Sequence, residues 1–485
     1  MSTYYLRIEG INLYQNLGDS DQISVIRGGS LLLREAMQTI KHRFSQLDSI
    51  STGASIGFFS FTADAEKAAE IQQAVVALLN KDVYQHLTFT VDTHLASAEG
   101  FLFDKEAILA KNRFHQMRQL TVAVPAPNAH LKVNPCALGN LHPATTQIKI
   151  KKKARQVCPS IKQRHYFGKR GKWKFYEEET GEKQVRKTTL DLGQIAAPGT
   201  AHDPKRDFAN LNRKIAVIYL DGNGFGKIQN KYCKTPQDLQ NFDQQIQQQR
   251  QTFLTQLLDK MNADVDCITL DDRLRIETLL WGGDELTLVL PAWKGLEILA
   301  FFYHFPWQFK PKPGMKPITL THAGGIVFCQ ASTPIQRIDK LSRDLAESVK
   351  DMPEGRKQNL FEYAVLESID FPTESIPSFR QRQFGNLHQS RRPLKPLDED
   401  KLAKARVLRE EIPKGQAYTL ARMAVNGESM MPGLKRLDEV IEADSKDIEQ
   451  QLECIFPEDS QCWQWLHLVE LWDYLDTPSK QEVLV

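Results

Sequence analysis

The chain has 485 residues, enough for about three domains at roughly 150 residues each. Its 41% hydrophobic and 25% charged residues are ordinary for a globular protein, and no run approaches the roughly 20 apolar residues of a membrane span. A net charge of +2 leaves any attraction to nucleic acid to local patches, and seven scattered cysteines argue against a disulfide framework and for a reducing cytoplasm. The opening "MSTYYLRIEGINLY" has neither the basic start nor the apolar core of a signal peptide.

Residues 1–103 alternate strand and helix patterns. "TYYLRIEGI" reads as a strand, "GGSLLLREAMQTIKHRF" as a helix with an apolar stripe, "GASIGFFSFTA" as a hairpin strand, "DAEKAAEIQQAVVALLNK" as a helix and "LTFTVDTHL" as a strand. This order predicts a small ferredoxin-like α/β domain. Residues 104–205 differ in texture. Within them, 149–174 carry eleven Lys/Arg and no acid, and "AAPGTAHDPKRD" makes a turn-rich boundary.

Residues 206–370 repeat the first grammar. "KIAVIYLD" is a nearly unbroken apolar strand. A long helix follows, with Thr235 as N-cap, Pro236 in the first turn and Asp238 favouring the N-terminal dipole. A hairpin around "GGDE", two further helices and the strands "ITLTHAGGIVF" and "NLFEYAVL" complete a second ferredoxin-like domain, expected to be antiparallel. Residues 371–485 read as polar helices with aromatics near the end.

The hairpin tip carries the chemistry. Gly282 and Gly283 precede Asp284 and Glu285, so a turn that admits positive φ and close phosphate approach sits beside two hard oxygen donors suited to Mg²⁺. Asp221 ends the apolar strand and is followed by Gly222, Asn223, Gly224, Phe225, Gly226 and Lys227. A carboxylate at the end of such a strand is costly to bury unpaired. If the two strands are neighbours, Asp221 and Asp284 can share one or two cations, and the glycine turn can offer N–H groups to a triphosphate.

"LDGNGFG" with "WGGDELTLVLP" resembles the nucleotide-cyclising Palm domain of the large subunit of type III CRISPR effector complexes, within the superfamily of GGDEF and class III nucleotidyl cyclases. The family pattern has a second acid where Asn223 stands and Asp where Glu285 stands. The segment "LTHAGGIVFCQASTPIQRIDKLSRDLAESVK" is similar to the family's strand–helix unit, which makes Lys350 the phosphate-contacting lysine. "ISVIRGGSLLLREAM" and "TGASIGFFSFTADAEKAAEI" resemble the first Palm, where Phe58 and Phe59 replace acids; this copy is expected to hold no metal and to seat the acceptor nucleotide, the phenyl rings being core.

The resemblance implies an α+β protein: a first, non-catalytic Palm (1–103), a basic insert (104–205), a catalytic Palm (206–370) and a helical domain (371–485). Between the Palms only Cys136 and Cys158 survive from a paired C-x₂-C pattern, with Gly139 and Ile161 at the partner positions. Zinc, which wants four ligands, is not expected, even counting His142 or His165. The chain enters the first Palm without an HD nuclease domain, His202-Asp203 stands in a linker without companion ligands, and DNA cleavage is not expected.

The implied activity joins nucleoside triphosphates, ATP first among them, into cyclic oligonucleotides for antiviral defence, under RNA control. Asp221 and Asp284 would hold Mg²⁺ or Mn²⁺, Glu285 would support the shell, and Gly222, Asn223, Gly224, Phe225, Gly226, Lys227, Gly282, Gly283 and Lys350 would bind the nucleotide. Lys151, Lys152, Lys153, Lys169 and Arg170, interleaved with Tyr166, Phe167 and Trp173, are the RNA-contact candidates. Expected partners are RNA and other CRISPR effector subunits, with no membrane. Two alternatives stand beside this: a Palm-derived RNA-binding scaffold with weak or lost activity, and a diguanylate-type dinucleotide cyclase.

Overall fold

The computed structural model describes residues 1–11, 13, 18–118, 134–139, 142–150, 152–181, 185–367, 372, 374–441, 444–457 and 459–475. Period-2 alternation in β1 (Ser2–Ile11) sends Leu6 and Ile8 into one cluster and Tyr5 into another. The chain continues through α1 (Ile23–Arg43), β2 (Asp48–Thr52), β3 (Ile56–Ala63), α2 (Ala65–Leu79) and β4 (Thr88–Leu95). These strands form an antiparallel sheet in the order β2-β3-β1-β4, the ferredoxin-like arrangement. Phe59 packs with Leu6, Leu33 and Met37, whereas Phe58 stacks near Phe101 and Tyr5 on the opposite face. Both rings are core. α3 (Phe101–Arg118) runs past residue 103 and lies against β1 and β4.

The insert holds a hairpin, β5 (Thr146–Ile150) and β6 (Lys153–Val157), and a long helix, α4 (Pro159–Thr180). α4 crosses α1 at two glycines. A Cβ on Gly28 would stand 1.8 Å from the Arg164 carbonyl oxygen, and one on Gly168 would stand 2.1 Å from that of Ser24. The basic run is therefore not uniformly a solvated face. Arg164 is buried against Asp19 at 2.7 Å, and Lys172 is buried against Glu277 at 2.7 Å. Cys158 N–H donates to Cys136 Sγ at 3.3 Å inside an apolar cluster of Val25, Ile148, Val157 and Ile161. A Cβ on Gly139 would meet the Ile161 side chain at 3.2 Å, so isoleucine fills the space beside the two thiols.

After the single turn α5 (Leu192–Ile195), the second sheet is built from β7 (Lys214–Gly222), β8 (Glu277–Trp281), β9 (Glu285–Pro291), β12 (His322–Gln330) and β13 (Leu360–Val365); β10 (Gln308–Phe309) and β11 (Ile318–Thr319) pair separately. Its order, β13-β12-β7-β9-β8, contains the first sheet's pattern plus one strand. That extra strand corrects the expectation of a wholly antiparallel sheet, because β13 runs parallel to β12. The reason is the crossover helix α9 (Ile335–Lys350): parallel neighbours need a long connection, and the helix supplies it.

One face of this sheet, with Ala216, Ile218, Leu220, Leu286 and Leu288, packs on α7 (Pro236–Ala263) and α8 (Gly295–His304). The other, with Ile215, Val217, Leu279 and Val289, packs on Ile338, Leu341 and Leu345 of α9. α7 begins with a capping box: Asp238 N–H donates to Thr235 Oγ1 at 3.1 Å, and Thr235 N–H to Asp238 Oδ2 at 3.0 Å. The short helix α6 (Phe225–Tyr232) links β7 to α7.

Helices α10 (Ile376–Phe384), α11 (Glu399–Glu411), α12 (Lys414–Asn426), α13 (Met431–Ile441), α14 (Ser445–Ile455) and α15 (Gln461–Leu471) follow. They dock through a buried polar network in which Tyr363 Oη contacts His467 Nδ1 at 2.7 Å and donates to Glu470 Oε2 at 2.6 Å, while Arg391 pairs with Glu362 at 3.0 Å. No helix among the described residues is long and apolar enough to cross a membrane.

Candidate active site

Strand register brings the two acidic motifs together. β7 and β9 pair antiparallel with Asp221 directly opposite Glu285, and Gly222 N–H donates to the Asp284 carbonyl at 3.0 Å. Opposite residues share a face, so Asp221 and Glu285 project toward α9, with Tyr219 two residues back on the same side. Asp284, in the turn itself, leaves toward the other face: a Cβ on Gly222 would meet the Asp284 Cβ at 2.9 Å. The carboxylates nonetheless share one electrostatic site at the end of the sheet. Burial raises the Asp284 pKa, and the Asp221 charge is the next cause. Burial also raises Glu285, with Asp221 and then Asp284 adding to it.

Cations answer this charge. Lys350, the last residue of α9, is buried and its Nζ pairs with Asp221 Oδ2. Two turns earlier Arg343 lies over the Tyr219 ring, 4.5 Å from its centroid, and its Nη1 is 3.8 Å from Glu285 Oε2. Tyr219 Oη is 3.5 Å from Asp221 Oδ2. Burial, then Glu285 and Asp221, push the phenol well above its ordinary pKa, so it stays protonated. Tyr219 and Arg343 escaped the sequence reading, though period 2 from Asp221 and a seven-residue step from Lys350 would have found them.

The glycines divide by role. Gly224 adopts a left-handed conformation (φ +67°) as N-cap of α6, so the chain can turn from β7 into the helix there. Gly282 and Gly283 do not have positive φ; space is what they provide. Beside Gly283 and Gly226 a Cβ would find nothing within 4 Å, whereas at Gly222 it would strike the Phe225 ring at 2.5 Å. Gly282 N–H donates to Glu285 O at 2.7 Å and closes the turn, and its own added Cβ would be 3.9 Å from Ala54 Cβ. The hairpin loop of the first sheet thus reaches the tip of the second. Phe225 is core, stacked edge-on against Phe242 and His322, and Lys227 is exposed on α6.

Asn223 points inward. Its Nδ2 donates to Thr321 Oγ1 at 3.2 Å and to the Gln358 carbonyl at 3.1 Å, so its side chain braces the loops around β12. Of the RNA-contact candidates, Lys152, Lys153, Lys169 and Arg170 are exposed, and Lys151 lies outside the described residues.

Among the described residues, no group of three or more His, Cys, Asp or Glu side chains is gathered into a metal cage. Asp221 and Asp284 offer two carboxylates that repel each other, a donor set that suits Mg²⁺, which takes one or two protein carboxylates and completes its shell with water and phosphate.

Neither a family model nor a curated protein matches the sequence. Among solved structures, a Csm1–Csm4 cassette in complex with pppApApA aligns over 98% of this chain and 70% of its own, with a TM-score of 0.50 and 13% identity. The chain has the fold of the type III CRISPR large subunit. A Csm1–Csm4 cassette in complex with one ATP (98% and 70% coverage, TM-score 0.49, 12% identity) and Csm1 of T. onnurineus (98% and 69%, 0.47, 13%) are also similar. This chain's own architecture is α+β, with two ferredoxin-like sheets and a C-terminal helical region, as the motifs led us to expect.

Proposed function

We propose that the chain is a metal-dependent nucleotidyltransferase that joins nucleoside triphosphates, ATP being the expected substrate, into cyclic oligonucleotides. The observation that carries this reading is the placement of Asp221, Asp284 and Glu285 at one end of the sheet, beside Lys350 and the glycine turn into α6. In the reaction, the 3′-hydroxyl oxygen of one nucleotide attacks the α-phosphorus of another and the bond to pyrophosphate breaks. Asp221 and Asp284 would hold Mg²⁺ or Mn²⁺, which when bound supplies Lewis-acid stabilisation of phosphate charge. Glu285 lies beside that pair and takes part in orienting the attacking hydroxyl. Lys350 neutralises Asp221 in the free protein and stands ready to pair with phosphate oxygens, and exposed Lys227 joins it from α6. Open space at Gly226 and Gly283 leaves backbone N–H groups approachable. Such catalysis works by positioning and electrostatics.

The first Palm would seat the acceptor, since its β2–β3 loop meets the catalytic turn at Ala54. The solved Csm1 structures contain Csm4, ATP or oligoadenylate, which supports effector subunits as partners and ATP as substrate for this chain. RNA control, a cytoplasmic setting and the four-part domain division belong to the same proposal. The inward-facing Asn223 favours a second reading, a scaffold subunit with weak activity.

Incubating labelled nucleotides with Mn²⁺, the cognate RNA and partner subunit decides between them. The wild type is expected to form oligonucleotides and pyrophosphate, and Asp284→Ala to lose at least about 100-fold in rate, the scale of removing one charge-stabilising group. Equal product from both proteins would leave the scaffold reading, and product from GTP alone would indicate a diguanylate-type enzyme.

A further inference from the structure

Arg250 is an anomaly. It lies on α7, its side chain is half-buried, and its Nε and Nη1 are sealed from solvent without any hydrogen-bond partner. Buried donors are nearly always satisfied, and a cation without a partner is the costliest exception. The guanidinium carbon is 5.8 Å from the centroid of Trp281, the residue that leads into the Gly282–Gly283 turn. The indole N–H is already used, donating to Glu179 Oε2 at 2.9 Å. Burial weighs most against the charge of this guanidinium, Glu179, Asp243 and Asp284 favour it, and Arg34 opposes them. Asp243 is occupied elsewhere: it accepts from Ser51 Oγ at 3.0 Å and Thr52 N–H at 3.3 Å. None of the three forms an ion pair with Arg250.

Geometry gives this cation a direction. α7 covers the face of the sheet toward which Asp284 leaves, while Lys350 comes from α9 on the face of Asp221 and Glu285. The acid set is therefore flanked by cations on both faces, Lys350 and Arg343 with carboxylate partners on the α9 side and Arg250 without one on the α7 side. α7 is also tied to the first Palm through Asp243 and through Gln240, whose Nε2 donates to the Ser49 carbonyl at 2.9 Å. α7 thus bridges the two sheets, and Arg250 lies two turns beyond Asp243 on it.

We propose that Arg250 is a phosphate-binding residue that contacts a bound nucleoside triphosphate from the α7 side, opposite Lys350. This rests on the nucleotidyltransferase reading and deepens it by assigning a second cationic wall to the site. A planar guanidinium with two unpartnered donors suits a phosphate in a way that a lysine does not.

The test is equilibrium binding of inorganic tripolyphosphate with Mg²⁺ to the full chain, followed by fluorescence and by the rise in melting temperature. Arg250→Gln and Arg250→Lys are compared with the wild type. Loss of a charge-assisted bidentate contact predicts affinity lower by about 10- to 100-fold in Arg250→Gln, with Arg250→Lys between. Wild-type affinity in Arg250→Gln overturns the proposal. So does failure of both variants to fold, because the arginine would then be a structural cation. Tripolyphosphate cannot be polymerised, so the two ideas fail separately: a chain that binds it through Arg250 but makes no oligonucleotide refutes the cyclase and leaves this assignment standing.

Discussion

Gly222 and Gly283 show how two glycines in one site do different work. Gly222 has no room for a methyl group, with Phe225 on one side and the Asp284 Cβ on the other. Gly222→Ala is expected to lower stability by about 1–3 kcal/mol, the usual cost of overpacking, and to displace Asp284. Gly283 borders open space. Gly283→Ala should therefore leave the urea midpoint within experimental error of the wild type while weakening tripolyphosphate binding. Urea denaturation of both variants checks the pair, and equal midpoints would refute the packing argument. The motif string alone does not distinguish the two, because the difference comes from neighbours distant in sequence.

Among elements, buried ion pairs decide how the parts are joined. Glu277 at the start of β8 accepts from Arg27 Nε of α1 at 2.6 Å and from Lys172 of α4 at 2.7 Å. Burial works to raise the Glu277 pKa, but the two cations outweigh it and hold the carboxyl below its ordinary range. One residue thereby locks the first Palm, the insert and the second Palm together. The junction with the C-terminal helices is built differently. Burial pushes the Asp459 carboxyl up to about 7, Arg391 relieving this only in part, and its Oδ1 has no partner. The folded protein therefore holds this proton more tightly than the unfolded chain. The stabilisation is complete below the ordinary carboxylate range near pH 4 and is lost as pH rises to about 7. Asp459→Asn should remove a slope of about 1.4 kcal/mol per pH unit in that window, read from urea midpoints at pH 5, 6 and 7. An unchanged pH dependence would show that the carboxyl ionises normally.

For the molecule as a whole, the basic insert is partly a strut and partly a surface. Arg164 and Lys172 are internal, while Lys152, Lys153, Lys169 and Arg170 face solvent. Reversing these four charges should weaken RNA binding and flatten its salt dependence by about 0.7 in log–log slope per lost phosphate contact on a single strand. A filter-binding curve unchanged at low salt would remove the insert from the RNA path. Arg164→Ala, by contrast, should act on folding, since it strands Asp19 in a buried position.

The two ferredoxin-like units, the long capped helix and the acidic hairpin were legible in the sequence, because periodicity, caps and glycine–acid strings are local signals. The chain by itself determined that Asp221 ends a buried strand and that Asp284 and Glu285 stand at a turn. Which acid faces which was decided only by register: Asp221 opposes Glu285, and Asp284 reaches the site from the other face. The parallel fifth strand, the plugged cysteine cluster, the cations at Arg250 and Arg343 and the pairing of Lys350 with Asp221 also emerged only in three dimensions. Pairing partners distant in sequence leave no periodic trace, and burial, which turns a surface charge into a costly or useful one, is a property of the assembled fold.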